Sequence, residues 1–188
     1  MGRPKHTPND PERRERIALA ALDLIQEKGI GQVTARAVAE RGAVPVASVS
    51  YYFDSVAELL REASRRLLQE RSLRLRRWLA ASTPQTVMDD LAALMVHQLD
   101  ERRASSIAAY ELYVLGMRDP QMRQLSADST GRLRACLAPL VSPAQLDAVV
   151  AAAEGFQMQC LFQERVPTPQ EVAAVLRAAS LRSEVQSR

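Results

Sequence analysis

The sequence predicts an all-α protein, and three observations predict it. A capping residue stands directly before a proline at Asp10-Pro11, Thr83-Pro84, Asp119-Pro120, Ser142-Pro143 and Thr168-Pro169. Such a pair starts a helix, because the cap accepts an orphaned N–H while proline, having none, suits the first helical position. Between these starts apolar residues recur at intervals of three and four, as in Ile17, Ala21, Leu24 and Ile25, which is the period of one helix face. No stretch of useful length alternates as a half-buried strand would, and no internal repeat appears.

The first helix opens at Asp10 and Pro11, with Glu12 favourable to its dipole, and ends at Gly29. Arg13, Arg14 and Arg16 fall on its outer side, where solvation and phosphate contact are both open readings. Thr34 then caps a helix from about Ala35, with Val33 and Val38 at the positions of a hydrophobic staple. Gly42 follows where a left-handed residue closes a helix. Pro45 suits the first turn of a second short helix whose inner face holds Val49 and Phe53. Ser55 and Glu58 have capping-box spacing and start a long, Arg-rich helix at about Val56, with Glu62/Arg66 and Glu70/Arg74 at ion-pair spacing.

Two short helices joined by a glycine-containing turn form a helix-turn-helix, whose second helix can enter a DNA major groove. Its outward positions, Val46, Ala47, Ser48, Ser50, Tyr51 and Tyr52, are small, apolar or hydroxyl-bearing and include no carboxylate. Such a face suits close approach to phosphates and thymine methyl groups. Charge is distributed to match: residues 1–81 hold fifteen Lys and Arg against ten Asp and Glu, whereas residues 82–188 hold ten against twelve. The first part is therefore directed toward a polyanion. Residues 1–9 read as a flexible basic arm whose Arg3 is either a minor-groove contact or an ordinary charged tail.

The run from Thr34 through Tyr51, Tyr52 and Phe53 to Ser55 and Leu59, preceded by one helix, resembles the DNA-binding domain of TetR-family transcriptional regulators. Three positions differ from the usual pattern: Ala47 stands for a residue that is often Gly, Ser50 for an aromatic and Val56 for Lys. The resemblance implies a three-helix helix-turn-helix domain over 10–55, a linking helix over 56–81 that transmits a ligand signal, and an effector-binding and dimerisation domain over 82–188. It also places Arg36 where a side chain often reaches a base. Thr34, Ser48, Ser50, Tyr51 and Tyr52 would then bond phosphates or bases, and Val46 and Ala47 would touch thymine methyls.

Downstream the pattern predicts helices over about 84–102, 104–117, 120–138, 143–164 and 169–182, with the residues after Leu181 frayed. SSIAAYELYVLGM is apolar nearly all round, hence buried. Together with Trp78 at the end of the long Arg-rich helix, Met95, His97, Tyr110, Tyr113, Met117 and Phe156 would make an adaptable apolar cavity if they converge, the alternative being plain core. Glu111 would be either paired at the surface or a polar anchor in that cavity. Leu146, Val150, Ala153, Gln157, Cys160 and Leu161 follow a seam on one late helix, and Val172, Val175, Leu176 and Ala179 on the next. Such seams suit helix-on-helix packing, within one chain or, as the resemblance implies, across a two-fold dimer.

With 47% hydrophobic and 25% charged residues the composition is that of an ordinary globular protein. No run approaches the ~18 apolar residues of a membrane span, and MGRPKHTPND has no apolar stretch of a signal peptide, so a cytoplasmic protein is expected. Cys136 and Cys160 lack a metal-binding or CxxC spacing and read as reduced thiols; no metal or cofactor is expected. No Gly-rich phosphate loop, GxSxG or Ser/His pairing points to an enzyme. The expected function is a dimeric, ligand-responsive regulator, a repressor of a palindromic operator released by a small hydrophobic effector. The alternatives are a DNA-binding regulator controlled by a protein partner and a small helical enzyme.

Overall fold

The computed structural model describes residues 11–182. The arm with Arg3, the Asp10 cap and the tail beyond Arg182 lie outside the described residues. Among those described there is no strand, and nine α-helices follow in order: α1 (Pro11–Lys28), α2 (Ala35–Arg41), α3 (Val46–Tyr52), α4 (Val56–Trp78), α5 (Val87–Asp100), α6 (Arg103–Gly116), α7 (Pro120–Leu137), α8 (Pro143–Phe162) and α9 (Pro169–Arg182). The all-α expectation is borne out. The chain divides into two units at Arg66/Leu67, inside α4.

In the first unit α1 packs on α2 and α2 on α3. Ile17, Ala21, Leu24 and Ile25 of α1 are buried, as are Val38, Val49, Phe53 and, on α4, Leu59 and Ala63. Two-turn helices have little stability of their own, so α2 and α3 are held by this packing. Thr34 caps α2 through its hydroxyl, which accepts from the Ala37 N–H at 3.1 Å. Gly29 ends α1 at φ 84°.

The end of α2 differs from expectation by one residue. Gly42 is right-handed (φ −81°), and Ala43 takes the left-handed position at φ 49°. The Val44 N–H donates to the Ala39 carbonyl at 3.0 Å, closing a Schellman motif. Gly42 serves close approach instead: a Cβ there would lie 3.2 Å from the Val38 oxygen and 3.4 Å from Ala20 Cβ. Pro45 likewise is the residue before α3 rather than its first turn.

Ser55 Oγ accepts from the Glu58 N–H at 3.1 Å, while the Glu58 carboxylate accepts from the Asp54 N–H at 2.8 Å, one residue further back than a strict capping box. Arg14 lies over the Phe53 ring at 4.7 Å and 3.7 Å from both Glu58 and Glu62. Glu62 pairs with Arg66 at 3.1 Å as the spacing predicts. Glu70 and Arg74 form no ion pair, and Arg74 Nη1 is buried without a hydrogen-bond partner.

In the second unit α5 packs against α8 and α9, α8 against α9, and α6 against α7. Leu91, Leu94, Met95, Leu137, Leu146, Val149, Ala153, Val172 and Leu176 form one buried cluster. Asp119 caps α7 by accepting from Gln121 and Met122. Thr168 and Glu171 form a reciprocal capping box on α9. The other two proline starts differ. Thr83 and Thr86 bond to each other in a turn, so α5 begins at Val87 and not at Pro84. Ser142 donates to the Gln145 side chain and caps no N–H, although α8 does start at Pro143. Glu164, left-handed at φ 52°, ends α8 two residues early.

Candidate nucleic-acid interface and ligand pocket

The first candidate surface is the outward face of α3. Val49 and Phe53 are buried and fix its rotation, and this leaves Val46, Ala47, Ser50 and Tyr51 exposed. Tyr51 is 68% exposed and meets the Tyr52 ring edge-on at 5.0 Å. Ser48 and Tyr52 are half-buried. Beside them Arg36, on α2, is exposed and has no ion pair with any described residue. By contrast Arg41 pairs with Glu27, and Arg66 with Glu15 and Glu62. A guanidinium without a carboxylate, next to hydroxyls and apolar tips, can approach a phosphate or a guanine edge.

The second is a cavity of ≈ 80 Å³ within the second unit. Its wall draws on five helices: Arg71, Ser72 and Leu75 of α4, Gln98 and Met95 of α5, Tyr110 and Tyr113 of α6, Ser129 and Arg132 of α7, and Ala153, Glu154 and Gln157 of α8. The Tyr110 hydroxyl donates to the Glu154 backbone oxygen at 2.9 Å, and Tyr113 and Ser129 share a hydrogen bond of 3.0 Å. The two tyrosine rings meet edge to face at 5.8 Å. Gln98 Oε1 accepts from Gln157 Nε2 at 2.9 Å and from Arg71 at 3.4 Å. Burial raises the Tyr110 hydroxyl above its ordinary range and likewise raises the Glu154 carboxyl.

Of the residues the sequence nominated for a ligand, Met95, Tyr110 and Tyr113 line this cavity, and Trp78, His97, Glu111, Met117 and Phe156 do not. Trp78 stacks on His97 at 5.2 Å and donates to the Asp90 carbonyl, while His97 faces Glu101. Met117 is 71% exposed just past the end of α6, and Phe156 packs on the core cluster. The cavity carboxylate is Glu154, not Glu111. Not nominated for a ligand by the sequence were the cavity's other polar residues, Arg71, Gln98, Ser129, Arg132, Glu154 and Gln157; the available signal was polar residues interrupting an apolar stripe, as Gln98 does after Leu91, Leu94 and Met95.

The residues nominated for a dimer seam pack within the single chain. Leu146, Ala153, Gln157, Cys160, Val172 and Leu176 are buried within the single chain, and Val150, Leu161, Val175 and Ala179 are half-buried. The reason is that α5 packs against both α8 and α9, and Leu146, Val149, Ala153, Val172 and Leu176 join its residues in one core. The outward face of α8 carries Ala144, Ala151, Met158 and Phe162, and that of α9 Ala174, Ala178 and Leu181, with Phe162 80% exposed. Both cysteines are free thiols whose pKa burial raises. Among the described residues no cluster could hold a metal, and no helix is long and apolar enough to cross a membrane.

Comparison with known proteins accords with this layout. Residues 17–63 match the family described as bacterial regulatory proteins, tetR family, and residues 82–181 match the tetracyclin repressor-like, C-terminal domain. No curated protein matches the chain. Among solved structures, SCO7518 of Streptomyces coelicolor A3(2) is 30% identical with a TM-score of 0.79, the alignment covering 90% of this chain and 99% of that one. The multidrug binding protein EbrR in complex with ethidium is 29% identical, with a TM-score of 0.80 over 91% of this chain and 99% of its own. SCO1917, a TetR-family member from Streptomyces coelicolor A3, is 28% identical with a TM-score of 0.77 over 90% and 99%. Matched in both its DNA-binding and its C-terminal domain, the chain belongs to the TetR family of bacterial transcriptional regulators.

Proposed function

We propose that the protein is a ligand-responsive repressor. As a two-fold dimer it binds a palindromic operator through α3, and a small hydrophobic effector taken up in the second unit releases it. The observation that carries this reading is the cavity. Part of its wall is the second half of α4, and the same unbroken helix holds Leu59 and Ala63, which are buried in the first unit.

At ≈ 80 Å³ the cavity is far below the roughly 300–1,000 Å³ of drug-sized sites. A multi-ring effector therefore fits only a wider arrangement of these helices. Binding shifts an equilibrium only through such differential affinity, and a coupling of about 1–3 kcal/mol is typical. EbrR has been solved with ethidium, proflavin and malachite green, aromatic dyes each bearing a positive charge. That likeness supports an aromatic effector here.

On DNA, Arg36 would read a base, Thr34, Ser48, Ser50, Tyr51 and Tyr52 would bond phosphates or bases, and Val46 and Ala47 would meet thymine methyls. The outward faces of α8 and α9, with Ala151, Met158, Phe162, Ala174, Ala178 and Leu181, would join two copies. The test is selection of bound sites from a random DNA pool at fixed salt. Two palindromic half-sites are expected; binding that only weakens with salt and enriches no sequence refutes the operator reading.

A further inference from the structure

We propose that a groove along the C-terminal turns of α4, separate from the effector cavity, binds a phosphate monoester that carries a planar ring. The groove has a volume of ≈ 570 Å³, within the roughly 300–1,000 Å³ of small-molecule sites. Its wall is Glu70, Leu73, Arg74, Arg77 and Trp78 of α4, with Arg102 from the turn between α5 and α6. All six belong to the second unit, and none lines the cavity already described.

Three guanidiniums therefore meet one carboxylate. Arg74, Arg77 and Arg102 have no hydrogen bond or ion pair with any described residue, whereas Arg71 and Arg132 of the cavity reach neutral oxygens. Arg74 Nη1 is moreover shut off from solvent without an acceptor. A buried donor left unpaired is costly, and like charges brought together add to that cost. Burial, and after it the nearby Arg102 and Arg71, push the Arg74 guanidinium below its ordinary range, with Glu70 a weaker opposing influence. An anion in the groove relieves both costs. The two positive charges in excess of Glu70 match a phosphate monoester, at about −1.5 to −2 near pH 7, better than a single carboxylate. Guanidinium forks also fit phosphate oxygens. Arg102 precedes α6, which has no side-chain cap, so the positive end of that helix dipole adds to the field.

Trp78 supplies the platform for the ring. It stacks on His97 at 5.2 Å and donates through Nε1 to the Asp90 carbonyl at 3.0 Å, yet 39% of it stays exposed. An indole fixed in this way beside the guanidiniums can stack on a planar group without first being ordered.

The experiment titrates the full chain with adenosine monophosphate, adenosine and inorganic phosphate, by calorimetry and by the fluorescence of Trp78, the chain's single tryptophan. Wild type is expected to bind the nucleotide at least about tenfold more tightly than either fragment, with a change in Trp78 emission. Arg102→Ala and Arg77→Ala, both at exposed positions, should each weaken the nucleotide by about tenfold and leave adenosine within about twofold. The proposal is overturned if adenosine binds as tightly as the nucleotide, if inorganic phosphate does, or if Arg102→Ala leaves nucleotide affinity unchanged. It is also overturned if no nucleotide binds and Arg102→Ala instead reduces the salt dependence of DNA binding, since the anion would then be the DNA backbone. None of these results touches the effector cavity, which Arg77 and Arg102 do not line.

Discussion

Replacing glycine by alanine should have opposite effects at two helical positions of the second unit. Gly116 closes α6, and a Cβ there would lie 2.9 Å from Ser126 Oγ, 3.2 Å from the Met122 carbonyl oxygen and 3.3 Å from Arg123 Cα. Two of these neighbours are backbone of α7 and cannot swing aside. Ser126 could rotate only by giving up its 3.1 Å bond to the Met122 carbonyl. Overpacking of this kind costs about 1–3 kcal/mol, and alanine returns at most about 1 kcal/mol of helix propensity. Gly116→Ala should therefore destabilise by about 1–2 kcal/mol.

Gly131, within α7, has no heavy atom other than its own helix backbone and chain neighbours within 4 Å of where its Cβ would stand. There the propensity gain is unopposed, and Gly131→Ala should stabilise by about 0.5–1 kcal/mol. Urea unfolding at one fixed protein concentration measures both, followed by the fluorescence of Trp78, the chain's single tryptophan and a residue of this unit. With a slope near ~2 kcal/mol per molar, the Gly116 variant should lose about 0.5–1 M in midpoint. Because Tyr113 and Ser129 meet across the same α6–α7 contact, this variant should also weaken effector binding. A Gly116→Ala midpoint at or above wild type would falsify the argument that backbone contact sets the cost.

Four further outcomes are expected. Arg36→Ala should relax selectivity at one operator position by about 1–3 kcal/mol, read by binding to a panel of singly altered sites; uniform weakening would make it a phosphate contact instead. Phe162→Glu should convert dimer to monomer in sedimentation velocity at micromolar concentration, since the substitution puts a charge on the apolar outer face of α8; an unchanged dimer would move the interface elsewhere. Because burial raises the Glu154 carboxyl in the folded state, the native protein holds that proton more tightly than the unfolded chain. Its stability contribution is therefore lost as pH rises from the ordinary carboxylate range through the raised value, and Glu154→Gln should melt higher than wild type at neutral pH but not at acid pH. Thr34→Ala should cost the head about 1 kcal/mol, read as a lower melting temperature, by removing the acceptor for the Ala37 N–H.

Much of the fold was legible because its signals are local. Thr34, Asp119 and Thr168 cap the helices they precede, since a side-chain acceptor and an orphaned N–H three residues on meet in almost any context. The inward pair Val49 and Phe53 followed from helical spacing, and with it the outward face of α3. Where a neighbour intervened the local rule failed. Gly42 was read as a left-handed terminator, yet α1 comes so close that the glycine's missing Cβ is used for contact and Ala43 takes the left-handed turn.

The sequence by itself determined the helical class, the order of the helices and the surface offered by the short head, because caps, prolines and periodicity act within one or two turns. Only the tertiary structure decided which side chains share a cavity and which face of α8 and α9 is left outward. A helix turns about 100° per residue, so the rotation of α6 and of α8 decides that Glu154 and not Glu111 faces the cavity, and which side chains of α8 are core and which exposed. That rotation is fixed by how α5 packs against α8 and α9 and α6 against α7, contacts between residues far apart in the chain that no local pattern encodes.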